Sequence, residues 1–246
     1  MKIRQSIDYL DILIYRQRTN SICIDDEAKL IDEDVFYVHL KRILDIHFKK
    51  LYSNRNHTLM SSEDESIFLK IENSKTSLQL KSIFFIKYEF NDLIKIFDLL
   101  NEQFKESYSM TRLDYCIDFK SPETILNLKK NIDFKKDCLE IHYHNKKKLE
   151  TVLYKKSNYS IILYNKELES NQKKKNNYLT LYKEKHEDIE NLKRFEVKIR
   201  SSKNLIDVVK MAQNNTFTEE NINNFTLNFV NKRASFTKII KKILKN

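Results

Sequence analysis

The chain has 246 residues and no glycine, and its only proline is Pro122. Glycine is the least costly residue wherever the backbone needs positive φ, as in tight hairpins and helix ends. A glycine-free chain must turn with other residues, and asparagine tolerates the left-handed region best among them. Asn54-Arg-Asn56, Asn145-Lys146 and Ser157-Asn158 are candidate turns of this kind. The same absence removes every glycine-built site: the Walker loop, the dinucleotide fingerprint and the nucleophile elbow. ATP-driven work by this chain is thereby disfavoured.

Forty-five Lys and Arg against 35 Asp and Glu give a formal charge of +10. Such an excess favours phosphate backbones as partners, although AT-rich coding would raise lysine and asparagine in the same way. A hydrophobic share of 41%, with 15 Phe and 13 Tyr, is enough to bury a core. Cys23, Cys116 and Cys138 stand far apart with no CxxC pair, which points to reduced thiols in a cytoplasmic setting. No 18-residue apolar run and no secretory leader are visible, so a soluble protein without a membrane partner is expected.

Hydrophobic periodicity predicts a strand over 8–17, a helix over 34–51, and strands over 66–72 and 77–90. A helix over 92–106 capped by Asn91 follows, then a strand over 110–119 and a short helix starting at Ser121-Pro122. Strands over 138–144, 149–155 and 159–165, a polar stretch over 170–193, and a strand over 194–200 come next, and the pattern is helical from Lys203 onward. The fold class is α+β: a mixed, mainly antiparallel central sheet flanked by helices, with a short C-terminal helical part. Residues 1–202 are expected to form one domain and 203–246 a C-terminal helical segment.

Alternation along Thr111–Phe119 puts Arg112, Asp114, Cys116 and Asp118 on one face and Leu113, Tyr115, Ile117 and Phe119 on the other. Two acids on a strand whose other face is apolar are costly unless they meet a cation. They lie roughly 13 Å apart, so one ion cannot take both directly. A hard Mg²⁺ or Mn²⁺ would take one of them plus Glu196, and the other would hold Arg112, Arg194 or Lys166. A strip of structural ion pairs would read the same. Tyr164 shares its strand face with Ile162 and Lys166, so the ammonium is placed to assist the phenol, or simply to lie along a core tyrosine. His142 and His144, two apart on a strand, form a second metal candidate or a surface pair.

The order of these motifs resembles plasmid rolling-circle replication initiators of the Rep_trans type, with relaxases and filamentous-phage initiators similar too. It runs from Tyr88-Glu-Phe-Asn91 through Thr111-Arg-Leu-Asp-x-x-x-Asp-Phe119, Leu149-Glu-Thr-x-x-Tyr154 and Ile161-x-Leu-Tyr-Asn-Lys166 to Arg194-Phe-Glu-Val-x-Ile199. The resemblance implies Tyr164 as the nucleophile with Lys166 beside it, and Asp114, Asp118 and Glu196 as the Mg or Mn site. Arg112, Arg194, Lys198 and Arg200 would then hold DNA. It implies a metal-dependent tyrosine endonuclease that nicks single-stranded or hairpin origin DNA, leaving a 5′-phosphotyrosine and a 3′-hydroxyl primer. A host helicase would be a partner, with room for a homodimer. The alternative is a non-catalytic DNA-binding regulator of the same fold. The usual Tyr-x-Gly between the central strands is Tyr154-Lys-Lys here.

Overall fold

The computed structural model describes residues 3–15, 35–54, 56–72, 74–104, 107–134, 139–145, 148–172, 180–184 and 190–236. Ten strands form a large antiparallel sheet in the order β2-β3-β4-β5-β1-β6-β11-β10-β9-β8, and β7 pairs with β12. The strands are β1 (Ile3–Tyr15), β2 (Phe48–Ser53), β3 (His57–Ser62), β4 (Ile67–Glu72), β5 (Lys75–Leu80) and β6 (Tyr108–Lys120). They continue with β7 (Ile132–Phe134), β8 (Leu139–Asn145), β9 (Lys148–Lys155), β10 (Tyr159–Asn165), β11 (Leu192–Ile199) and β12 (Ala234–Phe236). The helices are α1 (Val35–Leu44), α2 (Ser82–Lys87), α3 (Phe90–Phe104), α4 (Ile125–Lys129), α5 (Lys166–Gln172), α6 (Ser202–Gln213) and α7 (Glu219–Asn231). Residues 180–184 are also helical. The α+β class holds.

The chain divides into two compact units, with boundaries inside β1 and β6. One comprises Tyr9–Arg112 and Ser202–Phe217. Its strands stack apolar residues in cross-strand rows, for example Ile12 opposite Leu78, Leu78 opposite Leu69, and Leu69 opposite Met60. All four are buried. Leu93, Ile96, Phe97 and Leu100 form the buried face of α3, and Phe97 meets Phe217 at 4.5 Å between ring centroids. Asn101 ties the helices together by donating to the Ala212 carbonyl at 2.8 Å while its Oδ1 accepts from the Tyr108 hydroxyl.

The other unit comprises Met1–Asp8, Leu113–Ser201 and Thr218–Asn246. Its apolar rows run Tyr115–Val197–Ile161–Tyr154 and Ile117–Phe195–Leu163–Val152. Phe134 stacks on Tyr154, while Phe229 and Phe236 meet Tyr159 and Phe195 edge-on. These contacts place α7 and the β7–β12 pair against that face.

Turns explain where the expected boundaries move. The helix expected over 34–51 ends at Leu44 because Asp45 adopts φ 48°, and the chain resumes as strand β2. The strand expected over 77–90 stops at Leu80. Ile83-Phe-Phe-Ile86 is instead helical, with Phe84 and Ile86 buried, because so short an apolar run suits either period. Strand β3 lies in a stretch for which no element was expected. Helix α3 begins at Phe90 rather than after Asn91, and the Asp92 carboxylate accepts from the Glu89 N–H at 3.1 Å. Ser121-Pro122 forms a turn just ahead of α4, whose cap is Thr124, accepting from the Asn127 N–H.

Among the described residues, positive φ falls on Asp45, Glu65, Asn191 and Asn215. None of these lies in the asparagine turns expected from the sequence. At Asn54 the side chain shapes the turn instead, its Oδ1 accepting from the N–H groups of Asn56 (2.8 Å) and His57 (3.0 Å). Cys23, Cys138, Lys146 and residues 237–246 lie outside the described residues. Among the described residues no helix is long and apolar enough to cross a membrane.

Candidate active site

The second face of the β6–β11–β10 strands carries charge where the first carries Phe, Val and Ile. Antiparallel register puts Asp118 opposite Arg194 and Arg194 opposite Tyr164. The next row is Cys116, Glu196 and Ile162, and the one beyond it is Asp114, Lys198 and Ser160. Tyr164 therefore points to the same side as the acids. The face is covered: Asp114, Asp118, Ser160, Arg194 and Glu196 are all buried, Arg194 to 1% exposure.

Asp118 is the acid that holds a cation. Its two oxygens grip Arg194 through Nε at 2.6 Å and Nη2 at 2.7 Å, and the Tyr182 hydroxyl donates to it at 2.5 Å. Burial alone would raise the Asp118 carboxyl, but the Arg194 charge and its hydrogen bonds outweigh that and hold it below the usual range. A two-pronged buried contact of this kind is among the strong polar interactions. Arg194 also reaches Asp8 on β1 at 3.3 Å. Lys198 lies 2.9 Å from Glu196 and 3.8 Å from Asp114.

Tyr164 is 8% exposed. Burial pushes its phenol well above the ordinary value; Arg194 opposes this, while Glu196 and Glu169 add to it. Immediately after Tyr164 the chain turns. The Asn165 side chain accepts from the Leu168 N–H at 3.3 Å, which caps α5. Lys166, buried at the start of that helix, bonds Glu169 at 2.8 Å and sits 5.7 Å from the Tyr164 ring centroid. The sequence order Tyr-Asn-Lys thus places a phenol, a helix cap and an ammonium together.

The carboxylates of Asp8 and Glu196 and the thiol of Cys116 lie within 4.8 Å of one another. Of the three acids expected around a divalent ion, only Glu196 belongs to this group. Asp118 is occupied by Arg194 and Tyr182, and Asp114 stands one row further along. Burial raises the Glu196 carboxyl, with Lys198 opposing and Asp8 adding to the rise. Burial likewise pushes the Cys116 thiol up. Among the described residues Arg194 pairs with Asp118 and Asp8, Lys198 lies near Glu196 and Asp114, and Lys166 adds positive charge near Asp118. The carboxylate oxygens of Asp8 and Glu196 are donors that suit a hard divalent cation.

The remaining expected residues lie elsewhere. Arg112 belongs to the other unit, where its guanidinium covers the Tyr9 ring at 4.0 Å. Arg200 is exposed just past β11. His142 pairs across the strands with Val152, which pairs with Leu163, so it faces away from Tyr164 on the edge strand β8. It contacts Glu140, which Lys129 also holds at 2.5 Å. Asp8, Glu169, Tyr182 and Cys116 as a donor escaped sequence reading. The one signal was a pair of acids, Asp8 and Asp11, inside the strand run Ile3–Tyr15.

No family model matches the sequence, and neither does any curated protein. Among solved structures, the fold matches a rolling circle replication initiator protein from Geobacillus stearothermophilus with a TM-score of 0.63. The match covers 96% of this chain and 87% of that one at 13% sequence identity. The chain therefore has the fold of a rolling-circle replication initiator, the fold that its short motifs resemble.

Proposed function

We propose that this chain is a replication initiator, or a relaxase, that nicks one DNA strand through Tyr164. The observation that carries the reading is the shared buried row of Asp118, Arg194 and Tyr164, with Glu196 one row away on the same face. The Tyr164 oxygen attacks the scissile phosphorus, a phosphorus–oxygen bond forms, and the bond to the 3′-oxygen breaks. Water takes the phenol proton and returns one to the departing oxygen, leaving a 3′-hydroxyl and a 5′-phosphotyrosine. One ester replaces another, so the strand can later be rejoined without ATP.

Each neighbour has a role in this reading. Arg194, fixed by Asp118, lowers the cost of a phenolate at Tyr164 and helps balance phosphate charge. Lys166 adds a second positive charge beside the ring. A divalent Mg or Mn, held by Glu196 with Asp8 or Asp114, would polarise the scissile phosphate. Arg200 and Arg112 are assigned to the DNA backbone, and Lys198 to holding Glu196 and Asp114 in place. Residues 1–202 would carry the nicking chemistry, and the helices after 203 would read the origin duplex. A plasmid origin, a host helicase and a homodimer complete the proposal.

The test is incubation with single-stranded and hairpin DNA plus Mn²⁺. Wild type should yield a covalent protein–DNA adduct and a free 3′-hydroxyl, and Tyr164→Phe should yield neither. An undiminished adduct from Tyr164→Phe would refute the assignment. One observation favours a second reading, a DNA-binding regulator that does not cut: the Tyr164 ring is almost fully covered. That reading predicts salt-sensitive DNA binding with no cleavage under any metal.

A further inference from the structure

We propose that Tyr182 is an autoinhibitory latch over the Tyr164 face, and that residues 180–184 must lift before a DNA strand can reach it. The inference rests on the reading of Tyr164 as the nucleophile and names what regulates access to it. As the face stands, Arg194 is 1% exposed and Tyr164 8%. A scissile phosphorus has to come within about 3.5 Å of the attacking oxygen, and its charge has to meet the guanidinium. Groups so covered do not receive a phosphodiester until part of the cover leaves.

The sheet is badly placed to supply that movement. Arg194 sits on β11 between β6 and β10, and Tyr164 sits on β10 between β11 and β9, so each strand is hydrogen-bonded along both edges. Tyr182 belongs to no strand. It comes from the helical residues 180–184, donates its hydroxyl to Asp118 at 2.5 Å, and its ring centroid lies 5.9 Å from the Arg194 guanidinium. Within that segment Tyr182 is the one buried side chain: Leu181 is half-buried, and Thr180, Lys183 and Glu184 are exposed. Local opening favours segments that bury few apolar side chains. When the phenol leaves, Asp118 still grips Arg194 through Nε and Nη2, so no buried charge is left unpaired. The side of the guanidinium that Tyr182 covered then becomes available to a phosphate.

Nitration of the full chain by tetranitromethane reads this access without DNA, each tyrosine being quantified by peptide mass spectrometry. Tyr115, Tyr154 and Tyr159, buried on the opposite, apolar face, serve as internal references. Tyr182→Phe keeps the ring and loses the bond to Asp118. It should speed Tyr164 nitration about tenfold relative to the references, the factor that a hydrogen bond to a charged acceptor contributes to an opening equilibrium. In wild type, urea well below the unfolding midpoint should accelerate Tyr164 and Tyr182 together. Their urea dependence should be shallower than that of the references, because lifting a short segment exposes little surface. Unchanged Tyr164 labelling in Tyr182→Phe, or a rise shared by the references, would overturn the latch. So would a wild-type Tyr164 that becomes reactive only along with the references, a result that does not depend on how the variant folds. A protein that fails these tests yet forms the DNA adduct would leave the nicking assignment standing; a latch that passes them over a tyrosine forming no adduct would do the reverse.

Discussion

Both units bury apolar cross-strand rows, but among the described residues only one of them buries charged rows as well. In the unit of Tyr9–Arg112 and Ser202–Phe217, cross-strand rows such as Ile12–Leu78–Leu69–Met60 are apolar and sealed. In the other unit, Asp118, Arg194 and Tyr164 in one row and Cys116 and Glu196 in the next are buried as well, yet they hold charge. An apolar row contributes roughly 25 cal/mol for each Å² removed from water. A buried ion pair contributes little net stability, because desolvation cancels much of its attraction. The charged rows are therefore expensive as architecture, a feature they share with functional sites in general.

The largest expected effect follows from removing one member of the charged row. Asp118→Ala leaves Arg194 buried beside too little negative charge and should cost about 3–5 kcal/mol in urea unfolding. Replacing both partners, as Asp118→Leu with Arg194→Met, should recover most of that loss, since a well-packed apolar pair avoids the desolvation penalty. A double variant no more stable than Asp118→Ala would erase the distinction between the two rows. In the apolar row, Leu78→Ala should cost about 2–5 kcal/mol by opening a cavity, and no second truncation should restore it.

Two smaller predictions sharpen the contrast. Asp64 is held at about 2, because its bonds from Lys87, Ser66 and Ser62 together outweigh burial. Its folded value lies below its unfolded one, so its stabilisation is present above about pH 4 and is lost as pH falls toward 2. Asp64→Asn should flatten that part of the stability profile by about 1 kcal/mol after solvent screening. Identical profiles for both proteins would remove Asp64 from the account. Smallest of all, Glu65 adopts φ 58° in the β3–β4 turn, and Glu65→Gly should stabilise by about 1 kcal/mol in thermal unfolding. A loss of stability there would contradict the reading of glycine scarcity as a cost paid at turns.

Much of the site was legible because strand alternation is rigid. Arg112 aside, the residues placed on one face of Thr111–Phe119 do share it, and Tyr164 and Glu196 face the same way. The Asp118–Arg194 pair was one of three that the sequence left open, and register decides it. Asp8 was not legible, since it lies far along the chain from Glu196 and only strand order brings them together. Tyr182 was hidden for a similar reason: it reaches Asp118 from within a polar stretch that has no clear period. The His142–Tyr143–His144 pattern looked like a ligand pair, but register turns His142 to the opposite face. Helix ends moved where Asp45 and Asn215 adopted positive φ, a choice that composition does not announce.

The most direct test of Tyr164 as the nucleophile is peptide mapping of the DNA-linked protein by mass spectrometry. Digestion of an adduct formed on single-stranded DNA should give one nucleotide-bearing peptide, modified at Tyr164. Modification at Tyr182, or at any of the other tyrosines, would contradict the account.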